Sequence, residues 1–419
     1  MHLILYDDKK MNPAKLLILL ILLFTPLLSR EIRVRPDGEV PTLNAALKQA
    51  ADGDRIVIDG GVYREAVVVE KSVEIIGLNH PLFDGEGQRQ IFIIRAAGVS
   101  IRGLTFRNCG ISFIEDRSAI LIDGAQDCTV ENNRFLDNFF AVYLAKSAGA
   151  RIINNVIRGQ AASETSSGNG VHAWYCKDIT ITGNTISGHR DGIYFEFVQN
   201  GLVEKNHSEG NLRYGLHFMF SDRCRYLDNT FRQNGAGVAV MYTKNVEMHH
   251  NRFEENWGSA AFGLLLKDIT DSEIRSNLFL GNSIGIYAEN SNRLEISGND
   301  FLENGWAVKI MSNSMDNHFS GNNFIANSFD VATNSRHNFS RFEKNFWSGY
   351  RGYDLDRDGY GDVPFHPVRL FSMMVAQNPP ALVMMRSLLV DLLDLAESVF
   401  PLLTPETLVD EKPLMRRRP

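Results

Sequence analysis

Three side chains with soft or borderline donor atoms recur at matched places in the middle of the chain: His217, Met219 and Met241. His217 and Met219 lie two residues apart in GLHFMFSD (215–222), so on a β-strand they point to the same side. Met241, in GVAVMYTKNV (237–246), holds the place in its repeat that Met219 holds in the one before. Neighbouring strands lie about 4.8 Å apart, which brings one imidazole and two thioethers to a single outward patch. Thioether plus imidazole, without a carboxylate majority, suits Cu(I) better than zinc or calcium, and an open site of two or three ligands suits a carrier that must release its ion. The plain alternative is that outward methionines pack against a loop or partner. His172 lies two repeats away in the same column, with Tyr194 between, and is a weaker copper candidate. Cys176 follows it, either as a contributor or as an ordinary thiol; His249 and His250 are weaker still, and His189 and His207 read as surface residues.

A second constellation suits a hard cation. Asp354, Asp356 and Asp358 supply oxygens at positions 1, 3 and 5 of a loop with Gly359 at position 6 and Asp362 at position 9. Position 12 is Phe365, so the bidentate glutamate of an EF-hand is missing. The loop either binds calcium weakly or makes Asx-turns that close the last repeat.

The elements that would position these groups are strands of a repeat. The chain has 34 Asn, as many as Gly. An Asn followed two residues later by a large apolar residue recurs at Asn133, Asn155, Asn184, Asn229, Asn251, Asn277, Asn299, Asn322 and Asn345, and Asn206 keeps the phase with Ser208 after it. The intervals run from 22 to 29 residues, and a second Asn follows five residues on at Asn138, Asn211, Asn234, Asn256, Asn282, Asn304 and Asn327. Short segments between them alternate with period 2, which means strand. Three short strands per unit of 22–23 residues make one coil of an all-β, right-handed parallel β-helix. Asn is expected at the corners because it tolerates the left-handed conformation and because stacked amides can bond along the axis. The Leu-dominated consensus of leucine-rich repeats is absent. The longer intervals, 155 to 184 and 251 to 277, hold insertions, the first a polar Ser/Gly-rich loop at 161–170.

Such a solenoid must cover its open ends. Residues 41–51 read as a short amphipathic helix with Thr42 as N-cap, followed by first strands at 55–58 and 67–69. Upstream, the apolar run at 16–24 behind Lys15 and ahead of Pro26 and Ser29 has signal-peptide form and is short of the roughly 20 residues needed to span a bilayer. An uncleaved anchor is the alternative, and a start at Met11 would leave Lys15 as the working charge. Past Pro379 and Pro380, residues 381–400 read as one apolar helix carrying Leu388, Leu389, Leu392, Leu393 and Leu395, with Asp391, Asp394 and Glu397 on a narrow edge. It would fill a partner's groove, lie on a membrane surface or pack back on the solenoid. Arg416, Arg417 and Arg418 would face anionic lipid or an acidic partner. The organisation expected is a signal peptide at 1–29, an N-terminal cap at 30–70, β-helix repeats at 71–348, an Asp-rich loop and cap at 349–377, and a docking helix with basic tail at 378–419.

Composition excludes several classes. With 44% apolar residues, 22% charged and a net charge of -7, the chain is a folded protein without the basic stripe that nucleic acid demands. Four Cys are too few for a disulfide scaffold.

From about Glu31 to Arg418 the chain resembles the NosD family, periplasmic accessory proteins of nitrous oxide reductase maturation. The resemblance rests on residues 215–222 and 237–246 and, more specifically, on the stretches 329–372 (from FDVATNSRHNF to HPVRLFS) and 378–411 (from NPPALVMMRSLL to TLVDE). It implies a non-enzymatic protein on the periplasmic side of an ABC-type permease and its ATPase, bound to the membrane through that permease. The protein would take copper from a membrane-linked chaperone and support assembly of the reductase's copper–sulfide centre. The resemblance does not assign the copper ligands. The alternative is a carbohydrate-binding or polysaccharide-cleaving β-helix, which needs clustered acids on one outward face; the outward columns here hold Glu196 and Glu289 four coils apart. A bare scaffold rod would leave the soft-donor column and the apolar tail without a role.

Overall fold

A computed structural model describes residues 29–112, 116–258, 260–335, 338–385, 387–399 and 408–418. The signal-peptide expectation falls outside the described residues. All named strand pairs are parallel and successive coils stack in register, so the chain is a parallel β-helix. One wall is a separate sheet of 13 strands, and the other two walls form one 25-stranded sheet. The wall that carries the soft-donor column runs through Phe140–Ala145, Val171–Trp174, Asp191–Glu196, Tyr214–Met219 and Ala236–Lys244.

The amide ladder is continuous. The side-chain oxygen of Asn155 accepts from the backbone N–H of Asn133 at 2.9 Å and from its side-chain nitrogen at 3.2 Å, and the same pattern repeats through Asn184, Asn206, Asn229, Asn251, Asn277, Asn299, Asn322 and Asn345. Each side-chain nitrogen also donates to a carbonyl, as Asn229 does to Val203. These asparagines are buried, so every amide group replaces water for a backbone group that would otherwise be unpaired. The left-handed corner residue, however, is the one before each ladder Asn: Asn132, Asn154, Lys205, Asp228, His250, Ser276 and Lys344 have φ between 51° and 56°, and Gly183, Gly298 and Gly321 fill the other corners of this series. The ladder residue is thus selected for its amide and not for backbone tolerance.

The apolar partner two residues on stacks inside. Phe253, Phe279, Phe301, Phe324 and Trp347 form a column with ring centroids 4.1–4.9 Å apart. Cys128, Cys176 and Cys224 are buried and free; the Cys176 thiol points to the carbonyls of Leu144 and Trp174 and takes no part in the outward column.

At the N-terminal end Leu43–Gln49 is helical, with the Thr42 hydroxyl accepting from the Ala45 N–H, and Leu43, Ala46 and Leu47 cover the first coil. A strand at Glu31–Val34, before this helix, already pairs with Arg55–Ile58, so the parallel register starts upstream of the helix. At the other end the expected single helix over 381–400 is divided. Pro379–Met384 is a 3₁₀ turn, Met385 is extended, and the α-helix runs over Leu388–Val399 beside another at Leu370–Gln377. Two prolines at the start of the segment remove N–H donors and favour the short turn.

The last coil is closed from a distance. The buried Asp410 carboxylate accepts from the N–H of Lys344 and Asn345, from the Asn345 side chain and from the Trp347 indole, at 2.9–3.1 Å, so it stands where the next ladder Asn would be. Arg417 pairs with Asp300 and Arg418 bonds Asn323 through its backbone, so these two arginines clamp the solenoid instead of reaching toward lipid.

Replacing Asn229 with Ala leaves the buried Asn206 backbone N–H without its acceptor and takes one partner each from the Asn206 side chain and the Val203 carbonyl, at about 1–3 kcal/mol for a buried group left unpaired. Urea unfolding is expected to show a loss of about 3 kcal/mol for Asn229→Ala and less than about 0.5 kcal/mol for the exposed control Thr165→Ala. Equal, small losses would mean that the ladder does not hold the coils.

Candidate functional site

The strand register sets two outward columns. The first runs Tyr143, His172, Tyr194, His217, Ala239, Leu265, Tyr287 and Lys309. The second runs Trp174, Glu196, Met219, Met241, Lys267 and Glu289. Met219 therefore lies directly beside Met241, and both are half-buried on the outer side. Residues inward of them, Phe218 and Val240, are fully buried, which fixes the direction of the methionines.

His217 shares this face but not this exposure. It is 5% exposed, with its ring 4.7 Å from Tyr194 and 4.8 Å from Tyr214. Its Nδ1 lies 3.9 Å from an Asp191 oxygen, too long for a hydrogen bond, and neither ring nitrogen has a hydrogen-bond partner. Burial pulls the imidazole below its ordinary range, with Asp191 opposing. At neutral pH the ring is therefore uncharged and keeps one lone pair for a metal. Tyr194 bridges the two donor types: its ring lies against His217 and its hydroxyl donates to Met219 Sδ at 3.5 Å.

Asp191 is completely buried and is held by the Arg213 guanidinium, with Nε donating to Oδ1 at 2.9 Å. Burial pushes the carboxyl up, but the His217 and Arg213 neighbours outweigh it and the net shift is downward. This ion pair was not foreseen; an acid at the first position of an outward strand, one coil below an arginine, is the signal that could have found it.

His172 is not brought to the same point. Tyr194 stands between the two histidines, with centroids 4.8 Å and 4.7 Å away, so they lie two coil spacings, roughly 10 Å, apart. Burial pushes His172 down to about 3, and Asn169 lies 3.3 Å from its Nδ1. His189, expected at the surface, is 2% exposed. It occupies a place in the second Asn ladder, where its N–H donates to Asn211, and it lines a cavity of about 160 Å³ under the 161–170 insertion. His207 is at the surface, paired with Glu209. His249 is half-buried, 3.6 Å from Glu273, on a different wall from the methionines.

In the Asp-rich loop, carboxylate oxygens of Asp354, Asp356 and Asp358 lie within 4.8 Å of one another. Asp354 also accepts from the Gly359 N–H, Asp356 from Asp358 and Asp358 from Tyr360, so the Asx-turns are present as well. Asp362 is directed to the Leu355 N–H at 2.7 Å and not to the trio.

On the C-terminal helix Val390 is buried against Phe371 and Val375, whereas Leu388, Leu389, Leu392 and Leu395 are 50–74% exposed and Leu393 is half-buried. Glu397 accepts from the Leu370 N–H and so caps the neighbouring helix. Among the described residues no helix is long and apolar enough to cross a membrane.

Residues 62–168 match the family model described as "Right handed beta helix region", and residues 153–352 match "Periplasmic copper-binding protein (NosD)". A protein of Pseudomonas aeruginosa named "Probable ABC transporter binding protein NosD" is 29% identical over 389 residues, covering 87% of this chain and 89% of its own. One of the same name from Stutzerimonas stutzeri is 26% identical over 403 residues, covering 91% and 88%. Among solved structures, the surface adhesin PfbA of Streptococcus pneumoniae aligns over 73% of this chain and 87% of its own with a TM-score of 0.54 and 13% identity, a likeness of fold alone.

Proposed function

We propose that this chain, similar to the NosD proteins over about nine tenths of its length, is a periplasmic copper-handling subunit of an ABC transporter complex. In this reading it supports assembly of the copper–sulfide centre of nitrous oxide reductase and catalyses no reaction of its own. The observation that carries the copper reading is the strand register that sets Met219 beside Met241 on the outer wall, with His217 and Tyr194 at their flank. Two thioethers on adjacent strands make an open, soft site for Cu(I) as cargo. His217 is the third donor; its uncharged ring gives up no proton when the ion binds. His172 is left as a separate, weaker step along the column.

The polysaccharide-cleaving alternative needs two carboxylates about 5–9.5 Å apart. Glu196 and Glu289 share one column but are separated by Met219, Met241 and Lys267, roughly 19 Å at the spacing of stacked strands. That separation favours the carrier.

The exposed leucines at the C-terminal end form the surface that meets the permease, through which the protein is held at the inner membrane. A copper chaperone is the donor and the reductase the receiver. The Asp354, Asp356 and Asp358 trio holds calcium and stiffens the closing loop.

Anaerobic titration with Cu(I) should show tight binding that weakens at least tenfold in the Met219→Ala/Met241→Ala variant; equal affinity would remove the site. A Leu388→Asp/Leu392→Asp variant should keep its thermal midpoint and lose co-purification with the permease and ATPase, and retained co-purification would refute the docking role. Removing the tail is a poor test, because Asp410 closes the solenoid. Millimolar Ca²⁺ should raise the melting temperature of the unmodified protein by a few degrees and leave Asp356→Asn unmoved; no rise would leave only the Asx-turns.

A further inference from the structure

Four aromatic side chains stand in a row on the corner that follows the methionine column: Tyr175, Phe197, Phe220 and Tyr242. Each comes directly after Trp174, Glu196, Met219 or Met241 in sequence. All four have left-handed backbones, with φ of 50°, 54°, 51° and 55°, a conformation that costs a bulky residue about 1–2 kcal/mol. The same corner takes Lys146 one coil before the row, and Asp268 and Asn290 in the two coils after it. The aromatic choice is thus confined to the coils that carry the donor column. The rings are not hidden: Tyr175, Phe220 and Tyr242 are 52%, 42% and 40% exposed. A strained, exposed aromatic row is poorly explained by folding stability and well explained by a bound partner.

Ring geometry selects the partner. Centroids are 4.5, 5.0 and 5.1 Å apart with planes within 22°, 8° and 17° of parallel, so the ring faces are spent on one another. A saccharide stacks on aromatic faces, and here the inner ones are occupied. What faces solvent is a ridge of ring edges, the electropositive rim of each π system, and thioether sulfur sits favourably at such edges. We propose that this ridge is the docking surface for a metal-donor protein whose contact edge carries methionine side chains. The proposal rests on the copper reading for its purpose: a partner seated on Phe220 and Tyr242 holds its own thioethers over Met219 and Met241, so that the ion passes from one thioether pair to the other without entering water.

The test compares the full chain with a Phe220→Asn/Tyr242→Asn variant, using a synthetic peptide with methionine at every third residue, with and without bound Cu(I), and a uronate oligosaccharide. Asn290 shows that asparagine fits this corner, so the variant should melt at the original temperature or above. Calorimetry should give at least tenfold weaker binding of the metal-free peptide to the variant. Stopped-flow transfer of Cu(I) from the loaded peptide should slow at least tenfold. Affinity for free Cu(I), set by competition with a small chelator, should stay within twofold. Equal peptide binding by both proteins, no binding by either, or oligosaccharide binding that depends on the two rings would overturn the ridge. If neither protein takes up free Cu(I) but the peptide still requires the rings, the copper reading fails and the methionine-edge ridge stands.

Discussion

The hydrogen bond from one asparagine's amide to the next, coil over coil, is the constraint on which the rest of this molecule depends. A solenoid places chemistry by register; apolar packing already resists a one-residue slip, which would turn the inward column outward, but it accepts Phe, Ile or Trp alike at a given place. The amide is different. Each Asn must meet both the backbone N–H and the side-chain nitrogen of the Asn one coil earlier, so a slip by one residue would leave several buried polar groups unpaired.

From that fixed phase the outer surface follows. Alternation along each strand sends Phe218 in and Met219 out, and stacking sets Met241 beside it. Within one wall the same rule yields two unlike columns. One is nearly dry, where His172, Tyr194 and His217 press ring against ring over the Asp191–Arg213 pair. The other is half open and holds the thioethers. On the copper reading proposed above, uncharged imidazoles next to soft sulfurs would suit a polarisable monocation better than a hard dication, while the carboxylates that would suit the latter are gathered toward the other end of the chain, at 354–358.

Much of this was legible in the residues because it repeats. The Asn phase, the inward aromatic column, the Thr42 cap and the side-by-side methionines all follow from spacing. What escaped lies where the repeat is broken or where one residue substitutes for another. His189 reads as a surface residue until the coil count shows it standing in an asparagine's place. The left-handed corner falls on the residue before each ladder Asn and not on the Asn itself, and at 205, 276 and 344 that residue is a Lys or Ser that no backbone preference singles out. The apolar segment after Pro380 has the pattern of one helix, but two prolines and an extended Met385 divide it. Asp410 belongs to no repeat at all, and its role depends on a contact 65 residues away in sequence.

That distant contact has a mechanical consequence. The helical segment is spliced between two pinned points, the Val331–Val368 bridge on one side and the Asp410 clamp on the other. A tug on its leucine surface cannot unzip the rod strand by strand, as it would if the segment hung from a single attachment. The load is shared across both anchors before it reaches the stack of amides. The apolar segment is thereby a loop closed at both ends on the last coils, and a tail only in sequence.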